Sequence, residues 1–111
     1  SIPIGYKTLK ERLDIGELGL IIVSGVFGKR NKKWIKGPQI KLVGLEMNKG
    51  VDRNKFLKGV SEKVKIKLKT ITSSPELSQE MLRKECCLQV GRLLRDIFRK
   101  KVPILGQLFL I

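Results

Sequence analysis

The chain has 111 residues, with 24 Lys or Arg against 10 Asp or Glu and no His, which gives a formal net charge of +14. So strong a positive field attracts polyanions, and nucleic acid is the first candidate. Because histidine is the usual general base at neutral pH and the commonest metal ligand, its absence favours a binding or assembly module over a self-contained catalyst.

The length is that of one domain with one modest core. We expect residues 1–14 to form a lead-in arm or linker remnant and residues 15–111 to form the domain. No apolar run approaches the roughly 18 residues that a membrane span needs. Ser1 to Lys10 also lacks the apolar segment of a signal peptide. We therefore expect no membrane partner.

The first folded unit is predicted to be a β-hairpin with a basic tip. Leu18–Phe27 is apolar and rich in β-branched residues, as in a buried strand. Gly28–Lys33 has turn residues, and Trp34–Val43 is again strand-like. Pro38 falls inside this second strand, which predicts an edge strand or a local irregularity.

A loop over Gly44–Asp52 leads to the first predicted helix, for which Asp52 is the N-cap. The apolar residues recur at helical spacing. They are Leu57, Val60, Val64, Leu68 and Ile71. Residues 64–69 also alternate as a strand would, but the length of the stripe favours a helix.

The second helix is predicted to follow a turn at Thr70–Ser74, with Ser73 and Glu76 as a capping box. It should run to about Lys100. Its predicted apolar face consists of Leu82, Cys86, Val90, Leu93, Leu94 and Ile97. Residues 102–111 then predict a final strand buried on both faces.

These elements predict an α+β fold of order β-β-α-α-β, with a three-stranded sheet and two helices on one face. The other face of the sheet is then open, and we expect it to meet a second copy of the chain. The alternative is that other domains of a longer parent chain cover this face. The predicted oligomer contacts are Leu20, Ile22, Val26, Ile104, Leu108 and Leu110.

The two cysteines are adjacent, Cys86 and Cys87. Neighbouring residues of a helix point about 100° apart, so a bond between them is unfavourable. We interpret them as reduced, semi-buried thiols of an intracellular protein. The alternative is a redox or metal pair, which the absence of histidine and of Cys-x-x-Cys spacing disfavours.

The basic residues form two candidate RNA-binding groups. One lies in the hairpin, where the ring of Trp34 offers either a stacking surface for a base or a core side chain. The other is a stripe on the second helix, either a phosphate track or a solvated face. The candidates are Lys29, Arg30, Lys32, Lys33, Trp34 and Lys36 in the hairpin, with Arg92, Arg95 and Arg99 on the helix. Four further lysines are spread around the first helix, and we interpret them as solvating its surface. They are Lys63, Lys65, Lys67 and Lys69.

Several short motifs occur in a distinctive order. They are Leu-Lys-Glu-Arg-Leu at 9–13, an apolar strand opening at Gly19, and Gly-Pro-Gln-Ile-Lys-Leu-Val-Gly at 37–44. Near the end, a helix ending in Arg99-Lys100-Lys101 leads into a Pro-containing strand. Together these motifs resemble the C-terminal domain of ribonuclease J. The third motif is similar to the Gly-Pro-Glu-Ile…Arg-Gly of that family, with Leu42 and Val43 where an arginine is common.

The resemblance implies a part of a zinc-dependent 5′-to-3′ exoribonuclease and endoribonuclease of bacteria or plastids. In that family an H-x-H-x-D-H motif of the metallo-β-lactamase domain holds the metal, and no such motif occurs here. The implied chain is therefore a non-catalytic domain without its own cofactor. It would support oligomerisation and RNA attraction in RNA processing and decay, beside the catalytic domains of the parent chain, in the cytoplasm or a plastid. The alternative is an independent small basic RNA- or DNA-binding protein.

Overall fold

The computed structural model describes residues 19–47, 50–98 and 101–111. In chain order its elements are β1 (Leu20–Gly28), β2 (Lys33–Val43), α1 (Arg53–Lys67), α2 (Lys69–Thr72), α3 (Gln79–Leu94) and β3 (Ile104–Leu110). Within these residues the three strands form one sheet in the order β2-β1-β3. The predicted α+β fold and element order are confirmed, with α2 as an additional short helix. The predicted arm at 1–14 lies outside the described residues.

The β-hairpin forms as the sequence predicts. β1 pairs antiparallel with β2, and residues 29–32 make the turn between them. The register shifts twice along β2, between the partners of Ser24 and Val26 and again between those of Val26 and Phe27. Pro38 lies at the first shift, on an edge strand of the sheet. The predicted edge position and irregularity are both confirmed, because an edge tolerates the missing N–H of proline.

Helix α1 begins where its cap residue indicates. The side chain of Asp52 accepts a hydrogen bond from the backbone N–H of Lys55 at 3.2 Å. Leu57, Val60 and Val64 are buried, as the apolar stripe predicts. The helix ends at Lys67, and the N–H of Leu68 donates to the oxygen of Val64 at 2.9 Å. The helical interpretation of 64–67 is therefore right. The apolar residues of the alternating pattern do not share one face, because Val64 and Leu68 are buried while Ile66 is 68% exposed.

The predicted start of the second long helix is wrong. Ser78 is the N-cap of α3, and its hydroxyl accepts from the N–H of Met81 at 3.1 Å. Upstream, the hydroxyl of Ser74 accepts from the N–H of Glu76 at 3.2 Å, which forms a local turn instead of a capping box. Leu77 is 1% exposed and enters the core before the helix begins. The predicted turn at 70–74 is also partly helical, because α2 continues to Thr72.

The predicted end of α3 at about Lys100 is also wrong, since the helix ends at Leu94. The N–H groups of Ile97 and Phe98 both donate to the oxygen of Leu94, so the chain turns tightly there. As a result Ile97 is 39% exposed and Phe98, at 8%, enters the core in its place. The rest of the predicted apolar face is right. Leu82, Cys86, Val90 and Leu94 are buried, and Leu93 is half-buried.

Both long helices pack on the same face of the sheet, α1 against β2 and α3 against β3. β3 pairs with β1 in parallel, so that Ile104 lies beside Ile21 and Leu110 beside Phe27. The side chains of Ile104 and Leu108 point into the helix-covered core. Phe109, on the opposite face of the same strand, is 54% exposed. The prediction that the last strand is buried on both faces is therefore corrected, because the described helices cover only one. No helix in the described residues is long and apolar enough to cross a membrane.

The position of the α3 cap gives a test of the fold. Replacing Ser78→Ala removes the acceptor for the N–H of Met81, and we expect the free energy of unfolding to fall by about 1 kcal/mol. Ser73→Ala is the matched control, and we expect it to stay within about 0.5 kcal/mol of the parent chain. Urea denaturation measures both. A larger loss for Ser73→Ala than for Ser78→Ala would contradict the observed cap.

Candidate nucleic-acid interface

The tip of the hairpin presents the first predicted RNA-binding group to solvent. The side chains of Lys29, Arg30, Lys32 and Lys33 are all exposed. The backbone of the tip is fixed, because the N–H of Lys29 donates to a backbone oxygen of Ile111 at 2.7 Å. Among the described residues, the ion pairs do not involve these four side chains. The ammonium of Lys32 donates to the backbone oxygen of Ser74 at 3.3 Å, which is a neutral partner. A fixed backbone that carries cations without a carboxylate partner is well suited to binding phosphates.

Trp34 belongs to the core side of this strand. Its ring packs edge-on against Phe27, with the ring centroids 5.2 Å apart and the planes at 74°. An edge-to-face pair of this kind is stabilising in its own right. The residue is half-buried and contacts the core cluster. This placement agrees with the alternative in which Trp34 is a core side chain.

The arginine stripe does not lie near the hairpin tip. The side chain oxygen of Gln79, at the start of α3, accepts from the N–H of Leu110 at 3.0 Å, so this end of α3 is beside the end of β3. Arg92 lies about 20 Å further along the helix. Arg92 and Arg95 are exposed, and Arg95 lies 3.9 Å from the carboxylate of Asp96. Arg99 is outside the described residues. The described members of the arginine stripe, Arg92 and Arg95, therefore lie at the end of the domain opposite the hairpin tip.

A second source of charge does converge on the hairpin, at the C-terminal end of α1 and the start of α2. The hydroxyl of Ser61 donates to the oxygen of Pro38, and the guanidinium of Arg53 to that of Leu45. α1 therefore runs antiparallel to β2, and its last turn points towards the tip. We call the combined surface the basic end. It consists of Lys29, Arg30, Lys32, Lys33, Lys65, Lys67 and Lys69.

Sequence reasoning missed the contribution of α1 to the basic end, because its lysines are spread around the helix and look like solvation. These lysines reach the hairpin because of the direction in which α1 packs, and no local sequence pattern indicates that direction. Lys65 follows Ser61 by one turn on the same face, and it pairs with Glu62 at 3.3 Å. This is the one ion pair that the described residues place within the basic end. The surface is otherwise a concentration of positive charge.

The face of the sheet away from the helices carries a regular array of side chains. Strand register gives three rows across it. They are Lys36, Val26 and Phe109; Gln39, Ser24 and Gln107; and Lys41, Ile22 and Leu105. We call these nine residues the open face.

Three of the six predicted oligomer contacts lie on the side of the sheet away from the helices. Ile22 and Val26 are half-buried members of the open face, and Leu20, two residues before Ile22 on the same strand, lies on the same side but is only 2% exposed. Ile104 and Leu108 are 0% and 2% exposed within the core. Leu110 packs against the same core. The assignment of the β3 residues to the open face is therefore corrected. The alternate residues that lie there are Leu105, Gln107 and Phe109, because the parallel register puts the even-numbered positions against the helices.

The cysteines are free thiols inside the core, at 0% and 1% exposure. Burial raises the pKa of Cys86 to about 12, and burial also raises that of Cys87 to about 11. Neutral buried thiols are poor metal ligands. The described part of the chain holds no group of three or more His, Cys, Asp or Glu side chains that could bind a metal ion. The donor set of these residues does not fit zinc, which the resemblance assigns to the catalytic domains of the family, so no catalytic step through a metal is assigned to them.

One comparison with known proteins finds a match. A family model described as the ribonuclease J C-terminal domain matches residues 7–106. The matched range includes the hairpin, both long helices and the start of β3. No curated protein matches the chain significantly.

The raised pKa values of the thiols predict low reactivity in the folded chain. At pH 8 only a small fraction of either cysteine is thiolate, and neither is accessible to a reagent. We expect a thiol-reactive chromogen to modify both slowly in native protein and rapidly in denaturant. Cys87→Ala should halve the yield of modified thiol in denaturant. A rapid burst of one thiol per native chain would contradict this placement.

Proposed function

The chain belongs to the ribonuclease J C-terminal domain family, and we propose that it is the non-catalytic domain of a zinc-dependent ribonuclease acting in RNA processing and decay. In support, its 111 residues contain no histidine. On this proposal the catalytic domains of the parent chain hold the metal and cleave RNA, while this domain does neither by itself. A location in the cytoplasm, or in a plastid, is part of the same proposal.

The role proposed for the domain is to attract RNA to the parent enzyme. The observation that carries this role is the basic end, where the hairpin tip and the C-terminal end of α1 lie at the same end of the domain. The ammonium of Lys32 donates there to the oxygen of Ser74, just after α2, at 3.3 Å. Phosphate contacts of Lys and Arg supply most of the affinity in binding without sequence preference. The formal charge of +14 adds a long-range attraction, which steers RNA towards the domain at low salt. We therefore propose weak binding of RNA without sequence preference.

The salt dependence of binding tests this role. For single strands, log K falls with log salt at a slope of about −0.7 for each phosphate neutralised. Replacing Lys29, Arg30, Lys32 and Lys33 together with Gln removes four cations of the basic end, and we expect a flatter slope and weaker binding. Fluorescence anisotropy with a labelled oligouridylate at several salt concentrations measures both quantities.

The matched control for that experiment lies at the opposite end of the domain. Arg92→Gln with Arg95→Gln lowers the net charge without touching the basic end. We expect a smaller change in slope for this pair, per charge removed, than for the hairpin variant. An equal effect per charge would show that binding follows net charge alone. No binding by the parent chain at low salt would remove the RNA-attracting role.

We also propose that the domain supports oligomerisation of the parent enzyme through β3. This strand contains no charged residue and lies at the edge of the described sheet. An uncharged apolar edge is a template for pairing with another strand. A second copy related by a two-fold axis would pair β3 with β3 and extend the sheet. This arrangement replaces most of the contacts predicted from sequence, three of which are buried.

Sedimentation at several concentrations tests the self-association. Because copies of charge +14 repel one another, we expect the dimer fraction to rise with ionic strength. Gln107→Lys places a charge in the middle of β3 and should weaken the dimer. Gln39→Lys, on the other edge strand, makes the same change of charge and should not. A strict monomer at roughly 100 μM in 0.5 M salt, where surface charges are well screened, would refute pairing of the isolated domain.

The alternative function is an independent small basic protein that binds RNA or DNA. The basic end is compatible with it, since phosphates are common to both nucleic acids. The reading frame upstream of Ser1 separates the two proposals. An H-x-H-x-D-H motif a few hundred residues earlier would place the chain in a complete ribonuclease, whereas a start codon directly before it would favour the independent protein.

A further inference from the structure

Phe109 is an aromatic side chain with no role in the core. It lies on the open face of β3 and is 54% exposed. Its neighbours across the sheet are Val26 on β1 and Lys36 on β2, about 10 Å away at the usual strand spacing. Exposed aromatic rings on a sheet surface are the platforms on which proteins stack single-stranded bases. A cation on the same row is in reach of the phosphate that follows a stacked base.

The charge of the sheet complements RNA. The three strands contain three lysines, Lys33, Lys36 and Lys41, and no Asp or Glu. All three lysines lie on β2, so the open face has a cationic side and an apolar side. The tip of the hairpin continues the cationic side with Lys29 and Arg30. A backbone lying along β2 and bases lying towards β3 would match this division.

The middle row of the open face is polar. Gln39, Ser24 and Gln107 lie side by side across the three strands. Amide side chains both donate and accept hydrogen bonds, which suits the edges of bases. The same row makes the face a poor dry interface for a second copy, because it would bury two amides between like-charged chains.

We propose that the open face binds single-stranded RNA, with one base stacked on Phe109 and the neighbouring phosphates on Lys36 and Lys41. This inference rests on the proposed RNA-attracting function and names the surface that reads the bases, as distinct from the basic end that attracts the backbone. Stacking is tolerant of sequence, so the surface distinguishes single strands from duplexes rather than one sequence from another. β3 contributes side chains of its open face to this RNA-binding surface. Its backbone edge remains available for pairing with a second copy.

The test separates stacking from charge by using two probes of equal charge. One is a labelled ten-residue oligouridylate, and the other is an abasic ribose-phosphate strand of the same length. We expect the parent chain to bind the oligouridylate more tightly. Phe109→Ala should weaken that binding by roughly five-fold to 150-fold, the range found when one stacking platform is removed. It should leave binding of the abasic strand and the salt slope unchanged.

Two further variants make the test specific to the ring. Phe109→Tyr keeps an aromatic surface and should retain the preference for bases. Ile111→Ala removes an exposed apolar side chain near the tip, which is 69% exposed, and should leave both affinities within two-fold. Urea denaturation of each variant establishes that the domain is folded under the binding conditions.

Each outcome bears on the proposal. If Phe109→Ala binds oligouridylate as tightly as the parent chain, or weakens both probes equally, the stacking surface is refuted. If the hairpin variant weakens both probes while Phe109→Ala weakens neither, the RNA-attracting function stands and this inference falls. A change in sedimentation with no change in RNA affinity assigns Phe109 to contact with a second copy and overturns the proposal. If the parent chain binds neither probe at low salt, both proposals fall together.

Discussion

The parallel pairing of β1 with β3 is the constraint on which the rest of the domain depends. Parallel neighbours cannot be joined by a tight turn, so the chain must cross the sheet between them. α1 and α3 form that crossing and pack on one face, where Val64, Leu82 and Ile104 are all 0% exposed. Because the described helices form a single layer, they leave the second face of the sheet uncovered by helix. It also fixes the directions of α1 and α3, and therefore which charged side chains meet.

Those directions divide the surface into parts with different chemistry. α1 runs towards the hairpin and adds lysines to the basic end, whereas α3 runs away from it and carries Arg92 to the opposite end. The open face lies between the two, and the edge of β3 borders it. For these surfaces we propose electrostatic attraction, contact with bases and pairing between copies. None of the three proposed roles requires a catalytic residue of this domain.

The sequence predicts the features that depend on local patterns. The hairpin, the cap at Asp52 and the buried stripe of α1 follow from residues within one turn or one strand. The start of α3 is missed because Ser73, Ser74 and Ser78 are all plausible caps, and the burial of Leu77 decides between them. The sequence does not indicate which residues of β3 face the helices, because apolar side chains occur at both even and odd positions of the strand. The basic end and the exposed ring of Phe109 depend on register and helix direction, which only the folded chain defines.

The position of β1 also has a consequence for the order in which the domain is made. Its antiparallel partner follows after one turn and can pair at once, since short loops close quickly. Its parallel partner is the last strand, and contacts so distant in sequence form late. The nascent hairpin therefore carries an unpaired apolar edge on β1 until residues 104–110 have left the ribosome. During that interval of translation the domain is most exposed to pairing with the wrong chain.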